Sequence, residues 1–204
     1  MALTQKQCEM IKASWNTISN NEFNSLRFVM DFYSKIFELT PSAKSLFKGG
    51  MTEQGKALIG MLSTVVINID SLSNISDKVE SLGKRHGKYG ITPNMYVVAG
   101  RALVFTLASR LPDDEHKKEY ADAWMDAYSF LASVMCNAAG GKLDVSSVRQ
   151  CINPEDIEEN KFKKITKTDK TLRKYLRKLK VKNKDTVDLY YNNNKKTGFF
   201  SFCL

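Results

Sequence analysis

The spacing of apolar residues over positions 1–139 is the feature that most constrains the fold of this chain. Apolar side chains recur there every three or four residues, which is the period of a helix that buries one face. In the first segment, Ile11, Trp15 and Ile18 form such a stripe. Thr4 precedes this stripe at the position of a helix N-cap. No stretch alternates apolar and polar residues for long enough to predict a strand, so the sequence predicts an all-α fold.

The later helices can be placed by the same periodicity. We predict a helix over 52–70, a shorter one over 74–86, one that opens at Pro93, and a last long one from about 115 to 139. Gly140 and Gly141 follow the last stripe, where glycine commonly ends a helix. The periodic part of the chain therefore ends near residue 141.

The positive charge of the chain is concentrated at its C-terminal end. The net charge is +9 over 204 residues, but residues 161–204 hold 14 Lys or Arg against 3 Asp or Glu, a net of +11. The first 160 residues have a net charge of −2. A nearly neutral body with a basic tail predicts a partner for the tail alone. We divide the chain into a helical domain over 1–141, a polar linker over 142–160 and a basic extension over 161–204.

The basic extension contains "KTDKTLRKYLRKLKVKNK", in which Leu172, Leu176 and Leu179 share one helical face. It is either a solvated charged helix or a disordered tail, or it is a basic amphipathic helix that lies on an anionic membrane surface. The terminal "GFFSFCL" would add apolar anchoring, with Cys203 as a candidate acylation site. Nucleic acid is the alternative partner, on charge alone and without a recognition motif. Because the N-terminus has no apolar signal core, we expect a cytoplasmic protein, peripheral on a membrane if the helix forms.

Residues 49–58, "GGMTEQGKAL", resemble a phosphate-binding loop without its hydroxyl residue. Ala57 follows Lys56 where such a loop needs Ser or Thr, and a helical turn rather than a strand precedes it. A nucleotide site is therefore not predicted. Gln54 and Leu58 instead lie on one helical face, which makes Gln54 a single polar group at the end of an apolar stripe.

The chain has only two histidines, and they differ in setting. His116 lies in "DDEHKKE", a charged helix start that predicts a solvated side chain. His86 follows Val79 by seven residues and Leu82 by four, so it shares their apolar face. A histidine on an apolar face is either a buried core residue or a ligand, and the spacing alone does not decide between them.

The order of landmarks around His86 resembles that of single-domain globins and flavohaemoglobin haem domains. "FYSKIFELTPSAKSLF" resembles the second helix and proline turn of that family, and "VESLGKRHGKYGITPNMY" resembles the segment with its iron-ligating histidine. The resemblance covers about residues 3–139 and implies the globin fold, a helical sandwich around a haem. By position it implies these haem-contacting residues: Phe47, Gln54, Leu58, Leu82, His86, Tyr89, Ile91 and Tyr96.

The implied cofactor is haem b, iron protoporphyrin IX. The sequence has no CxxCH motif, so the haem would be held non-covalently, with His86 as the iron ligand. No second histidine is placed to occupy the other face, which is left open to O2, NO or CO. Tyr33 falls at the family's distal tyrosine position, and Tyr33 and Gln54 would donate hydrogen bonds to the negative charge that bound O2 acquires. We therefore expect high affinity for O2. Bound CO carries little charge, so these hydrogen bonds should raise the affinity for CO much less.

Tight O2 binding is unsuited to bulk delivery and leaves two classes of function. The resemblance implies nitric oxide dioxygenation to nitrate, with Tyr33 and Gln54 as the catalytic residues. Ala139 stands where the flavohaemoglobins keep a glutamate, and no flavin or nicotinamide domain follows, so an external reductase would supply the electrons. The alternative is a haem-based gas or redox sensor that signals through its basic C-terminal tail.

Overall fold

The structure, a computed structural model, describes residues 3–47, 51–111 and 116–150, and these are helical with no strand among them. Its helices are α1 (Gln5–Ser19), α2 (Glu22–Leu39), α3 (Met51–Ile67), α4 (Ser76–Lys88), α5 (Pro93–Ala108), α6 (Lys117–Ala138) and α7 (Val145–Gln150). Two 3-10 helices, Pro41–Leu46 and Ile69–Ile75, lie between α2 and α3 and between α3 and α4. The predicted all-α fold is confirmed for these residues.

Helix ends follow the signals in the sequence. The Thr4 hydroxyl accepts a hydrogen bond from the Gln7 backbone N–H at 3.2 Å, and the Gln7 side-chain oxygen accepts one from the Thr4 backbone N–H at 2.9 Å. This reciprocal capping box satisfies donors that a helix start otherwise leaves unpaired. Pro41 and Pro93 each stand in the first turn of a helix, where the absent N–H has no helical partner in any case.

The core is centred on α6, which packs against α1, α4, α5 and α7. Trp124 of α6 lies 6.0 Å from Trp15 of α1, and the Trp15 ring meets Phe28 of α2 edge-on at 5.6 Å, as measured between ring centroids. The Trp124 indole N–H donates to the Ser14 hydroxyl at 2.9 Å, so burial of this ring leaves no unpaired donor. These contacts join α1, α2 and α6 beneath the site described below.

Helices α4 and α6 approach each other closely because glycine faces the contact. A Cβ atom added at Gly83 would lie 2.3 Å from the Met135 carbonyl oxygen and 2.5 Å from its Cα. One turn later, a Cβ at Gly87 would lie 2.9 Å from the Ala139 Cβ. Only a residue without a side chain fits at Gly83, and His86 follows it on the same helix. The contact therefore sets the position of His86.

Helix α7 folds back onto the domain. Val148 is fully buried, and its side chain lies 3.2 Å from where a Cβ of Gly100 would be. Arg149 pairs with Asp126 of α6, and Asp126 also accepts a hydrogen bond from the Gln7 side chain at 2.7 Å. The first part of the predicted linker over 142–160 is thus packed on the helical domain. The rest of it and the basic extension, with its predicted amphipathic helix and Cys203, lie outside the described residues.

Within the described segments, no single helix is long and apolar enough to cross a membrane. One bent pair, Glu53–Ile67 with Ile69–Lys88 at 114°, meets the criteria only when its two parts are taken together.

Candidate functional site

A cavity of about 420 Å³ lies between α2, α3, α4, α5 and α6. Its volume is within the roughly 300–1,000 Å³ usual for small-molecule sites, and most of its lining is apolar. Every site residue predicted from the sequence lines this one cavity: Tyr33, Phe47, Gln54, Leu58, Leu82, His86, Tyr89, Ile91 and Tyr96. Residues separated by up to 63 positions in the chain are therefore brought together.

His86 reaches the cavity from the last turn of α4. Its Nδ1 lies 2.9 Å from the Leu82 carbonyl oxygen, so Nδ1 carries the proton and Nε2 keeps its lone pair. Burial lowers the pKa of His86 below its ordinary value, and the nearby Arg85 charge lowers it further, although the bond to Leu82 acts in the opposite direction. The imidazole is consequently neutral near pH 7. Such a ring is suited to bind a metal ion through Nε2.

Tyr96 lies against the His86 ring. The two rings are stacked, with centroids 6.1 Å apart and planes inclined by 24°. The Tyr96 hydroxyl is buried and has no hydrogen-bond partner among the described residues. Burial raises the pKa of Tyr96 to about 12, so this hydroxyl keeps its proton.

Tyr128 of α6 supports Tyr96 from behind. Its hydroxyl donates to the Tyr96 carbonyl oxygen at 2.6 Å, and its ring lines the cavity. Sequence reasoning did not assign Tyr128 to the site. The available signal was its place four residues after Trp124, on the buried face of the last predicted helix.

Tyr33 and Gln54 supply the polar groups from α2 and α3. The Tyr33 hydroxyl donates to the Gln54 backbone carbonyl at 3.5 Å, which is the long limit for a hydrogen bond. The Gln54 side-chain Oε1 is buried without a hydrogen-bond partner in the described structure. Phe47 packs edge-on against Tyr33, with ring centroids 5.0 Å apart, and so fixes that ring. Two adjacent polar side chains thus face an apolar space.

The remaining predicted residues form the walls and rim. Leu58, Leu82 and Ile91 are partly buried and contribute apolar walls, whereas Tyr89 is 65% exposed and stands at the rim. His116 lies on the surface, as predicted, within 3.6 Å of Glu119. It takes no part in the cavity.

Comparison with known proteins identifies the family. The sequence model of the Globin family matches residues 30–135, more than half of the chain. The chain belongs to the globin family. A flavohemoprotein from Vibrio cholerae is 28% identical over 141 residues, which are 68% of this chain and 35% of the relative. A second flavohemoprotein, from Rhizobium meliloti, is 25% identical over 136 residues, 65% of this chain and 33% of the relative.

A further relative is of a different size. A neuroglobin from Tetraodon nigroviridis is 24% identical over 147 residues, which are 65% of this chain and 90% of the relative. The chain therefore spans about a third of the flavohemoproteins that it matches and nearly all of the neuroglobin.

The cavity of this globin fits a haem. The lining suits an apolar macrocycle, and a neutral imidazole offers Nε2 to iron. Buried polar atoms normally have partners, yet Gln54 Oε1 and the Tyr96 hydroxyl have none in the described protein. Both line the cavity, which is consistent with a site completed by a bound group. As a globin with this site, the protein binds haem and, through it, small gaseous ligands.

Proposed function

We propose that this globin holds haem b with His86 as the iron ligand, binds O2 tightly with Tyr33 and Gln54 as hydrogen-bond donors, and oxidises nitric oxide to nitrate with electrons from a separate reductase. The observation that carries the proposal is the arrangement of one cavity. It has a neutral histidine on α4, and polar side chains on α2 and α3 with a buried, unpartnered atom. Haem, when bound, would supply an iron that binds a diatomic gas.

His86 orients and holds the cofactor. The bond from Nδ1 to the Leu82 carbonyl fixes the ring about its long axis and sets the tautomer. Tyr96 stacks on one side of the ring and limits its tilt. Because burial keeps the imidazole neutral, little proton competition for Nε2 remains near pH 7.

Tyr33 and Gln54 select for a ligand that gathers negative charge. A hydrogen bond to a charged acceptor contributes roughly 1.5–3 kcal/mol. The long hydrogen bond from the Tyr33 hydroxyl to the Gln54 backbone carbonyl contributes much less, so Tyr33 would gain by donating to bound O2 instead. A half-turn of the Gln54 amide places Nε2–H where Oε1 lies, so that its buried position offers a donor. Since each 1.4 kcal/mol is a factor of ten, the pair would slow O2 release by orders of magnitude.

Oxidation of nitric oxide at this site would need a source of electrons. One nitric oxide and one O2 combine with one electron to give one nitrate, so turnover requires a reductant. The name flavohemoprotein says that those relatives combine flavin with haem. This chain matches 35% and 33% of the length of two of them. Ala139, which packs against Gly87, offers no carboxylate near His86. The Leu82 carbonyl is the partner of Nδ1 instead.

Two experiments test the proposal. His86→Ala should lose stable haem incorporation or the imidazole features of the visible spectrum, and the matched control His116→Ala should keep both, because His116 lies on the surface. The oxygenated wild-type protein, supplied with nitric oxide, NADPH and a flavin reductase, should form many nitrates per haem. A single nitrate per haem under continued reduction would refute the enzymatic role while leaving O2 binding intact.

A sensor role is the second candidate, and one series of contacts favours it. His86 stacks on Tyr96, Tyr128 bonds to the Tyr96 backbone, and the Tyr128 ring lies 2.5 Å from the position of a Gly100 Cβ. Val148 of α7 touches the same position, and residues 151–160 of the linker connect α7 in sequence to the basic extension. A shift of His86 on gas binding would therefore reach α7 through packed groups. Hydrogen exchange in α7 should differ between the gas-free and oxygenated forms, and identical exchange would exclude this role.

We also propose that residues 161–204 attach the protein to an anionic membrane surface, in keeping with a cytoplasmic, peripheral location. The support is their net charge of +11 and the shared face of Leu172, Leu176 and Leu179. The full chain should sediment with anionic but not neutral vesicles, and Leu176→Asp should weaken this binding. Failure to bind anionic vesicles even at low salt would refute the membrane proposal.

A further inference from the structure

Helix α4 has two faces with different chemistry. Val79, Leu82 and His86 line the cavity. Lys84, Arg85 and Lys88 lie in the last two turns and are exposed on the outer side. A helix with its side chains is about 10–12 Å across. The outer cationic face is therefore within about one helix diameter of the cavity.

The three cations of this face have no ion-pair partner within residues 3–47, 51–111 and 116–150. Of the acidic residues of α4, Asp77 lies in the first turn, and Glu80 lies one turn before Lys84 but forms no ion pair with it. Basic side chains in a last turn also stabilise the helix dipole. The helix dipole explains why basic residues lie near this end of α4. It does not explain why three exposed cations near the rim residue Tyr89 have no carboxylate partner in the described structure.

We propose that Lys84, Arg85 and Lys88 form a docking surface for an acidic one-electron carrier protein, here called the α4 cationic face. This inference rests on the proposed function, because a globin that oxidises nitric oxide with an external reductant needs a place where that reductant docks. Bound haem would accept one electron from the reduced carrier, which would be oxidised by one electron, and no bond would be formed or broken.

Two features of the face suit a transient carrier. Its cations are exposed, so they steer the encounter and speed association without the cost of burying a charge. Arg85 directly precedes His86 on α4. The carboxylates of a carrier bound at Arg85 would therefore lie on the outer side of α4, about one helix diameter from the cavity.

The test uses the haem-loaded full chain with flavodoxin, an acidic flavin protein, as the probe. A carbodiimide cross-linker joins lysine amines to carboxylates in contact, and mass spectrometry locates the joined lysines. We expect cross-links at Lys84 or Lys88 that disappear near 1 M salt, where the Debye length is about 3 Å. Cross-links confined to residues 161–204 would overturn the proposal, since binding would then belong to the basic extension.

Charge reversal gives the second arm. Lys84→Glu/Lys88→Glu should slow association with flavodoxin about tenfold at low salt, with the difference lost at high salt. The control Lys12→Glu/Lys118→Glu makes the same change in net charge on α1 and α6 and should slow association much less. Equal slowing in both double variants would overturn the docking surface, as a general charge effect would explain it.

Haem loss separates this inference from the proposed function. The rate of haem transfer to an excess of apo-acceptor protein should be the same in wild type and Lys84→Glu/Lys88→Glu. Faster loss in the variant would overturn the proposal, because the cations would then hold the carboxylates of the cofactor. Absence of haem in the wild type would refute the proposed function itself, whatever the cross-links show.

Discussion

Substitution of Gly83 by alanine tests the contact that positions His86. The new Cβ would lie 2.3, 2.5 and 2.8 Å from the carbonyl oxygen, Cα and carbonyl carbon of Met135. These are backbone atoms, so no side-chain rotation can relieve the overlap. Because non-bonded carbon atoms pack at about 3.5–4.0 Å, α4 and α6 would have to separate by roughly 1 Å.

The size of the effect can be worked from opposing contributions. Overpacking of a core costs about 1–3 kcal/mol, and a clash between two backbones belongs at the upper end. Alanine is favoured over glycine within a helix by about 0.8–1.0 kcal/mol. Gly83→Ala should therefore lower the free energy of unfolding of the apoprotein by about 1–2 kcal/mol. Gly60→Ala on α3 has no atom within 4 Å of its Cβ and should raise it by about 0.5–1 kcal/mol.

Denaturant unfolding of the two apoproteins measures this difference, and haem transfer measures its consequence. A binding site needs its groups held to within about 0.5 Å, so a movement of roughly 1 Å in α4 should speed haem loss from Gly83→Ala by about tenfold or more. Gly60→Ala should release haem at the wild-type rate. If Gly83→Ala were as stable as Gly60→Ala, the two helices would not be in backbone contact, and the reasoning about His86 would be refuted.

Three further predictions concern the pocket, pH and the chain end. Gln54→Leu should stabilise the apoprotein by about 1–3 kcal/mol, because a buried, unpartnered oxygen is removed. In stopped flow, the same variant should release O2 roughly 10- to 100-fold faster than wild type, and Tyr33→Phe should also release O2 faster. The rate of CO release should change far less in both variants. Because the folded-state pKa of His86 is lowered, the unfolded state binds more protons, so apoprotein stability should fall as pH drops through about 6.5 toward that lowered value. The difference between the stability curves of wild type and His86→Gln should contain this slope, and a flat difference would refute the assignment to His86. Truncation after Gln150 should leave haem binding and thermal stability unchanged, whereas truncation after Gly141 should lower the unfolding midpoint, because it removes α7 and its buried valine.

The helices could be predicted because burial on one face imposes a period on the sequence, but their ends could not all be placed. The stripe assigned to 52–70 belongs to α3 only as far as Ile67, and the segment assigned to 74–86 is α4, Ser76–Lys88. Between them the chain forms the 3-10 helix Ile69–Ile75, whose apolar residues are buried like those of an α-helix. A change of helix type at constant burial leaves no mark in the apolar pattern.

Residue type alone marked His86 and Gln54 as candidates, and only the resemblance to globins assigned them to a haem site. His86 and Gln54 are polar groups on apolar faces, and both line the cavity. Tyr128 could not be assigned in this way, because an aromatic residue on a buried helix face is equally expected of any core. The contact of Gly83 with Met135 also had no signal, since a pattern indicates which face is buried but not which backbone lies across it.

The unpartnered atoms of the cavity link its stability to its ligand. Gln54 Oε1 and the Tyr96 hydroxyl are buried without partners, and each such group costs about 1–3 kcal/mol in the protein alone. Gln54 and Tyr96 both line the cavity, so this cost falls at the candidate site. A ligand that binds only the folded form stabilises it by mass action. Substitutions that remove these groups should therefore make the apoprotein more stable. They should also reduce the stability that the protein gains when haem and gas bind. Both effects are expected of polar groups that serve a ligand rather than the fold.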